Sequence, residues 1–197
     1  MAHIGMKFPV AAPWKEDGTY GEGFVVGKAI NFTYTPNKND VTLYADDDAA
    51  ETDQSVKDLG TSLGIDDLDL KTLANLLGHT YVEAVTEGEN PTPESVEASP
   101  DDVAPFFGVG FYKRRRKNSI TSFTVIWLYK VQHSEPTENA ETKGETTNFQ
   151  TPTIEGKAFQ SPVAGGDKKL IYKKLRFPTE AEAIAWLKRQ ANIGVKA

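Results

Sequence analysis

The stretch 105–132, PFFGVGFYKRRRKNSITSFTVIWLYKVQ, decides the fold class of this chain. Its two apolar segments, 104–112 and 120–131, predict two neighbouring strands that are joined through the polar run between them. In the second segment every odd position from 123 onward is apolar, and two even positions are apolar as well. A strand that is apolar on both faces is either central in its own protein or covered on one face by another subunit.

Further strands are predicted on both sides of this pair. Alternation of apolar and polar residues indicates them within 24–34, 41–45, 54–63, 80–86, 149–159 and 170–177. Two short helices are predicted as well. The first runs from the N-cap Asp69 to Gly78 with an apolar leucine stripe, and the second starts at a capping box formed by Thr179 and Glu182 and ends near Ala191.

About eight strands with two short helices predict a mainly β chain of α+β type. The expected architecture is an antiparallel β-sandwich or barrel of two packed sheets with one or two short flanking helices. We expect residues 1–197 to form a single domain, because 197 residues suffice for one sizeable core and do not require two.

Four polar segments are predicted to lie outside the sheets. Residues 1–22 have no periodicity and many glycines and prolines, which indicates an extended N-terminal arm. Residues 46–53 are acidic and indicate a solvated loop. The segments 87–102 and 132–148 are predicted to be exposed loops, and the former contains three prolines and six acidic residues.

Composition excludes several classes of function. The chain has no cysteine, which excludes disulfides, a thiol nucleophile and a cysteine-ligated zinc site. Its 28 acidic and 22 basic residues give a net charge of −6, which argues against a general nucleic-acid binder. No apolar run reaches about 18 residues and no signal peptide is evident, so we expect no membrane anchor.

The short motifs in the chain do not predict an enzyme. Gly60 to Gly64 matches the G-x-S-x-G pattern, but the acidic residues that follow do not begin the helix that a nucleophile elbow needs. Gly21 to Gly27 precedes a strand, whereas a dinucleotide fingerprint follows one. The three histidines lie far apart and lack metal-ligand spacing. We therefore predict no catalytic residue, no metal and no cofactor.

The basic run Lys113–Lys117 has three possible roles. It could bind nucleic acid, it could be a solvated hairpin tip that prevents edge pairing, or it could contact an acidic segment of another subunit. Two acidic segments, 46–53 and 87–102, could provide that contact. The candidate intersubunit contacts are Lys113, Arg114, Arg115, Arg116, Lys117, Asp46, Asp47, Asp48, Trp127 and Tyr129.

Four segments taken together resemble a known family. They are IGMKFPVAAPW (4–14), DLKTLANLLGHT (69–80), the stretch quoted above, and KKLRFPTEAEAIAWL (173–187). In this order they are similar to the phi13-type major tail proteins of siphophages that infect Gram-positive bacteria. No single segment is a catalytic motif, so the likeness rests on the collinear set, which covers most of the chain.

This resemblance implies a tail-tube fold, in which two β-sheets pack across each other beside a helix. It implies a structural subunit of a long non-contractile tail that forms stacked hexameric rings, through which genome DNA passes without specific binding. The implied partners are further copies of the chain and the tape measure, tail terminator and distal tail proteins. The implied location is the virion tail, after assembly in the host cytoplasm, and we expect no C-terminal immunoglobulin-like domain.

Two other functions remain open from the sequence. The chain could be a monomeric β-sandwich module that binds carbohydrate or a cell surface, and such a module would not assemble at any concentration. It could also be a hydrolase built around Ser62, and such an enzyme would lose its activity when Ser62 is replaced by alanine.

Overall fold

A computed structural model of the chain describes residues 2–39, 41–45, 48–86, 91–136, 151–163 and 166–194. Its strands, in chain order, are β1 (Ala2–Pro13), β2 (Phe24–Val25), β3 (Ala29–Lys38), β4 (Val41–Ala45), β5 (Asp48–Asp53), β6 (Val56–Ile65), β7 (Thr80–Val82), β8 (Ser95–Glu97), β9 (Phe106–Lys117), β10 (Ile120–His133), β11 (Thr153–Phe159), β12 (Ser161–Val163), β13 (Gly166–Leu170) and β14 (Tyr172–Phe177). The helices are α1 (Leu70–Leu77), between β6 and β7, and α2 (Glu180–Gln190), after β14.

The chain is mainly β, and its sheets are antiparallel and packed against each other, as predicted. The main sheet has eight strands in the order β2-β1-β9-β10-β11-β6-β3, with β14 beside β10. Three hairpin-like pairs, β4 with β5, β7 with β8, and β12 with β13, complete the described part. The predicted sandwich or barrel with two short flanking helices is thereby confirmed.

The main sheet divides at β10. Residues 123–128 of β10 pair with β14, whereas residues 130–133 pair with β11. One layer therefore contains β2, β1, β9, β10 and β14, and the other contains β11, β6 and β3. β2 and β1 stand at one end of the strand order, and β6 and β3 stand at the other end. The sheet bends back on itself, because β1 and β3 nevertheless lie close together.

Two apolar cores lie on the two faces of β10. The first fills the space between the layers and includes Leu63, Phe107, Leu128 and Ile154, with Leu76 of α1 at its margin. The second lies beneath α2. Its buried members are Val10, Ala12, Tyr20, Tyr112, Phe123, Val125, Trp127, Tyr129, Ala183, Leu187 and Ala191.

Both helices begin at the predicted caps. The Asp69 carboxylate accepts a hydrogen bond from the Thr72 N–H at 2.7 Å, and the Thr179 hydroxyl accepts one from the Glu182 N–H at 3.3 Å. Gly78 ends α1 with φ +79°, a left-handed conformation that favours glycine. The leucine stripe of α1 is only partly as predicted, because Leu76 and Leu77 are buried whereas Leu70 is exposed.

The predicted N-terminal arm, residues 1–22, is wrong for residues 2–13. Residues 2–13 form β1 inside the main sheet, and Val10, Ala11 and Ala12 are fully buried. The pairing of β1 with β9 shifts register twice, near Gly5 and near Phe8, and both residues have positive φ. Each irregularity interrupts the alternation of faces, so the period of two that identifies a strand is absent from the sequence.

Other predicted loops also contain strands. Residues 48–53 form β5, which pairs with β4, and β8 lies within the mostly exposed segment 91–102. Gln132 and His133 belong to β10. The remainder of the predicted loops, 87–90 and 137–148, lies outside the described residues.

Val131 lies on the other face from the one predicted. The β9–β10 register shifts between Leu128 and Val131, and Val131 packs in the core between the layers, whereas Tyr129 packs beneath α2. The unbroken odd–even alternation that the sequence indicates for β10 therefore ends at this irregularity.

Candidate assembly surfaces

The basic run is the end of a strand and not a loop. β9 continues through Lys117, and only Asn118 and Ser119 connect it to β10. Both connecting residues have positive φ, +49° and +64°, as a two-residue turn of type I′ requires. The prediction that residues 113–119 connect the strands is wrong for residues 113–117, because the pairing of Lys117 with Ile120 extends the hairpin.

Strand geometry separates the basic side chains onto two faces. Arg114 and Arg116 lie on the same face of β9 as Tyr112, the face that α2 covers further along the strand, and both arginines are exposed. Lys113 and Arg115 lie on the opposite face and are half-buried. Among the described residues, the structure assigns no ion pair to Arg114 or Arg116.

A second strand enlarges the basic surface. Thr124 of β10 lies between Lys113 on one side and Arg176 of β14 on the other, so the two cations share a face. Lys174 lies two residues before Arg176 in β14. Its ammonium lies 5.2 Å from the ring centre of Tyr34 and 4.9 Å from that of Tyr172. The sequence alone does not predict the contribution of Arg176, because it depends on which strand pairs with β10.

The opposite end of the hairpin is acidic. Phe106 starts β9 and His133 ends β10, and residues from 98–104 and 134–135 lie there together with His79. The Tyr81 hydroxyl donates a hydrogen bond to Glu94 at 2.8 Å. This bond, together with the nearby charges of Glu94, Glu83 and Asp69, raises the pKa of Tyr81. Several carboxylates therefore surround one exposed region of the surface.

His79 links three segments at this acidic end. Its Nδ1 lies 2.8 Å from Asp102 Oδ2, and its Nε2 lies 2.5 Å from Glu135 Oε1. The hydrogen bond with Asp102 raises the pKa of His79, and the Glu135 bond acts in the same direction. The Ser99 N–H and His79 together lower the pKa of Asp102. The side chain is only 7% exposed, so the link is structural and joins the end of α1 to the segments that precede β9 and follow β10.

We expect the free energy of unfolding to fall as the pH rises above about 6.5, the ordinary pKa of histidine. His79 has a raised pKa in the folded chain, so its contribution is complete below 6.5 and is lost as the pH passes through the raised value. His79→Gln should remove this loss. Chemical denaturation of both proteins between pH 6 and pH 9 measures the difference.

His133 supplies the internal comparison for that experiment. It is buried against Phe107, and burial lowers its pKa to about 4. Its effect has the opposite sign, since the unfolded chain takes up a proton between about pH 6.5 and 4 that the folded chain does not. A His79→Gln protein whose stability changes above pH 6.5 as in the parent would contradict the role given to His79.

Trp127 and Tyr129 do not lie on a surface. Trp127 is 0% exposed, its indole N–H donates to the Tyr20 hydroxyl at 3.1 Å, and that hydroxyl donates to the Tyr129 carbonyl at 2.9 Å. The expectation that these two side chains contact another subunit is therefore wrong. α2 covers this face within the same chain, which the sequence pattern of β10 left open.

The acidic residues 46–48 give little further information. Asp46 and Asp47 lie outside the described residues. Asp48 starts β5, and its backbone pairs with that of Ala45. β4 and β5 lie in the sequence between β3 and β6, and the pairing of β3 with β6 ends at Lys38 and Val56.

Ser62 lies in the middle of β6 and not on a strand-to-helix turn. Its strand neighbours are Thr33 and Glu155, and β6 continues beyond it to Ile65. By the alternation of the strand, His133 belongs to the opposite face, because it pairs with Gly156, which pairs with Thr61. The G-x-S-x-G match therefore does not form the elbow on which a hydrolase would depend.

The outer face of the β3–β6–β11 layer forms an open polar groove. Its lining includes Thr33, Thr35, Ser62, Gln132 and Glu155, with the ring of Phe159 at one side. Lys157 is the basic residue of this lining. The groove is therefore rich in small hydroxyl groups and balanced in charge.

The chain matches no protein-family model and no curated protein sequence. The resemblance to phi13-type major tail proteins therefore stays a prediction. Neither helix in the described part of the chain has the length and apolar character needed to span a membrane.

Proposed function

We propose that this chain is the tail-tube subunit of a phage with a long non-contractile tail. Copies would form hexameric rings that stack into a conduit for DNA. The proposal combines the collinear family resemblance with a mainly β fold of packed antiparallel sheets and flanking helices. Its expected partners are other copies and the tape measure, tail terminator and distal tail proteins. Its expected location is the virion tail, after assembly in the host cytoplasm.

The observation that carries the proposal is a pair of sheet edges. Among the described residues, no strand pairs with the side of β14 that faces away from β10. The same holds for the first half of β1, residues 2–8, on the side away from β9, since β2 pairs only with Val10 and Ala11, and β3 lies close to β1 without pairing with it. Unpaired edge strands are templates for pairing with another chain.

The directions of these two edges are complementary. Every pairing between β1, β9, β10 and β14 is antiparallel, so β14 runs opposite to β1. If β14 of one copy lies beside β1 of the next, the antiparallel sheet continues and all copies keep one orientation. A head-to-tail contact of this kind closes into a ring when its rotation permits.

The charges on β14 disfavour the competing arrangement. Pairing β14 with β14 of a second copy would bring Lys173, Lys174 and Arg176 close to their counterparts, and like charges on facing strands are destabilising. The edge strand β1 carries fewer cations, with Lys7 as its one lysine. The charge pattern therefore favours head-to-tail contact over a symmetric pair.

The polar groove supports the proposal that DNA passes through the assembly. Its lining contains one acidic and one basic side chain, Glu155 and Lys157, among hydroxyl and amide groups. A basic surface would hold phosphates and would slow a moving duplex, because each cation that neutralises a phosphate adds salt-dependent affinity. A surface of this composition suits a conduit.

Electron microscopy of the purified, concentrated chain tests the proposal. We expect rings or tubes, and we expect sedimentation velocity to show large species whose share rises with concentration, because each added copy covers one sheet edge of another. The diluted protein is the control. A chain that stays monomeric and forms no rings at any concentration would contradict the proposed function.

The same groove favours one second candidate, a monomeric carbohydrate-binding module. Hydroxyl, amide and carboxylate groups that converge beside an aromatic ring, here that of Phe159, are suited to a sugar. This function predicts a monomer that is retained on immobilised glycans and that loses retention when Glu155 is replaced by glutamine. Tube formation without glycan retention would decide against it.

A further inference from the structure

The two ends of the β9–β10 hairpin carry opposite charge. β9 spans 12 residues. At roughly 3.3 Å per residue its ends lie roughly 40 Å apart. We define the basic end as Arg114, Arg116, Lys117 and Ile120 near the turn, together with Arg176 of β14, which pairs with Thr124. We define the acidic end as side chains of the segments that adjoin His79 beyond the far end, which are Glu83, Glu94, Glu97, Asp101 and Val103.

Each end also carries a highly exposed large apolar side chain. Ile120 is 72% exposed and follows the turn directly after the cations of β9. Val103 is 76% exposed and follows Asp101 and Asp102. A single exposed apolar residue needs no explanation. Here, however, each lies among charges of one sign, and the two signs are opposite.

We propose that the basic end of one copy docks onto the acidic end of the next copy, with Ile120 against Val103. This inference rests on the proposed tail-tube assembly and adds to it the surface that stacks one ring on the next. The contact is head-to-tail, along the direction of β9 and β10. The sheet edges, in contrast, face sideways and serve the contacts within a ring.

A contact between the basic end and the acidic end requires a second copy of the chain. The two ends are too far apart to meet within one chain, and a contact between two basic ends or two acidic ends would bring like charges together. A head-to-tail contact between opposite ends adds copies without limit when each copy is displaced along the strand direction and the rotation between copies does not close a ring. Such growth is what converts rings into a tube.

The composition of the ends favours this partner over nucleic acid. The chain is acidic overall, with net charge −6, and it carries its own acidic surface beyond the end of β9 opposite to the basic end. A phosphate backbone would pair with the cations but would leave Ile120 exposed. The acidic end offers both carboxylates and an apolar side chain.

Cysteine cross-linking tests the inference cleanly, because the parent chain has no cysteine. We expect concentrated Ile120→Cys mixed with Val103→Cys to form a mixed dimer with a short bismaleimide. We expect the double variant to form a ladder of multimers. Ile30→Cys, which places a half-exposed cysteine on β3 instead, is the matched control and should not cross-link with Val103→Cys.

The outcomes separate this inference from the proposed function. Tubes that form without a 103–120 cross-link, or with mainly 120–120 cross-links, would overturn the docking and leave the tail-tube proposal standing. No tubes and no cross-link would overturn both. If duplex DNA protects the thiol of the Ile120→Cys variant from maleimide and no 103–120 cross-link forms, the basic end binds nucleic acid and the docking is overturned.

Discussion

Gly110→Ala is expected to lower the free energy of unfolding by about 1–3 kcal/mol, the range typical of an overpacked core. An added Cβ at this position would lie within 3 Å of the Trp127 ring and of Leu187 Cδ2. Neither group has room to move, because both side chains are fully buried between β10 and α2. Urea denaturation of the variant and the parent measures the change.

Gly60→Ala is the matched control for this substitution. Gly60 also lies inside a strand, but an added Cβ there meets only the Thr35 carbonyl oxygen, at 3.9 Å. We expect its stability to stay within about 0.5 kcal/mol of the parent, as for changes that touch nothing. A Gly110→Ala protein as stable as Gly60→Ala would show that the packing beneath α2 is looser than the structure indicates.

A double-mutant cycle identifies the cause of the loss. Trp127→Leu removes the six-membered ring that the new methyl group would meet, so Gly110→Ala should be less harmful in that background. Residues in direct contact typically show coupling of about 0.5–3 kcal/mol. Additive effects would place the strain elsewhere.

The parts of the fold that depend on local pattern were predictable from the sequence. Asp69, Gly78 and Thr179 are caps whose chemistry acts within one helical turn, so their roles can be read without knowledge of the fold. The apolar runs of β9 and β10 likewise identify two central strands. The mainly β class follows from the number of such strands and was confirmed.

What the sequence did not predict depends on contacts between distant segments. The faces of β10 are apolar whether they meet α2 or another subunit, so Trp127 could not be assigned before α2 was placed. β1 escaped detection because bulges near Gly5 and Phe8 remove its alternation. Arg176 joins the basic residues of β9 only through the pairing of β14 with β10, which no local pattern encodes.

The second large effect is expected on the protein concentration at which tubes assemble. Arg116→Glu combined with Lys117→Glu should raise the concentration at which tubes form by more than tenfold, while the melting temperature stays near that of the parent. Both side chains are exposed, so their replacement leaves the cores intact. Light scattering against protein concentration measures the threshold.

The size of this effect follows from repetition of a weak contact. One exposed ion pair contributes about 0–1 kcal/mol, which matters little to a single chain. Reversal replaces attraction with repulsion at every copy of a ring, and about 1.4 kcal/mol per copy already corresponds to a factor of ten. High salt should reduce the difference between the variant and the parent, because exposed charges are screened.

Two further proteins show whether position or total charge is responsible. Lys188→Glu with Arg189→Glu carries the same change of charge on the last turn of α2, away from the hairpin turn, and should assemble as the parent does. Adding Glu97→Lys and Asp101→Lys to the Arg116 and Lys117 reversal should restore assembly, because the two ends then attract each other with inverted signs. If the reversal variant instead assembles normally but loses affinity for DNA, the basic end serves nucleic acid. If the α2 control fails equally, net charge and not docking sets the threshold.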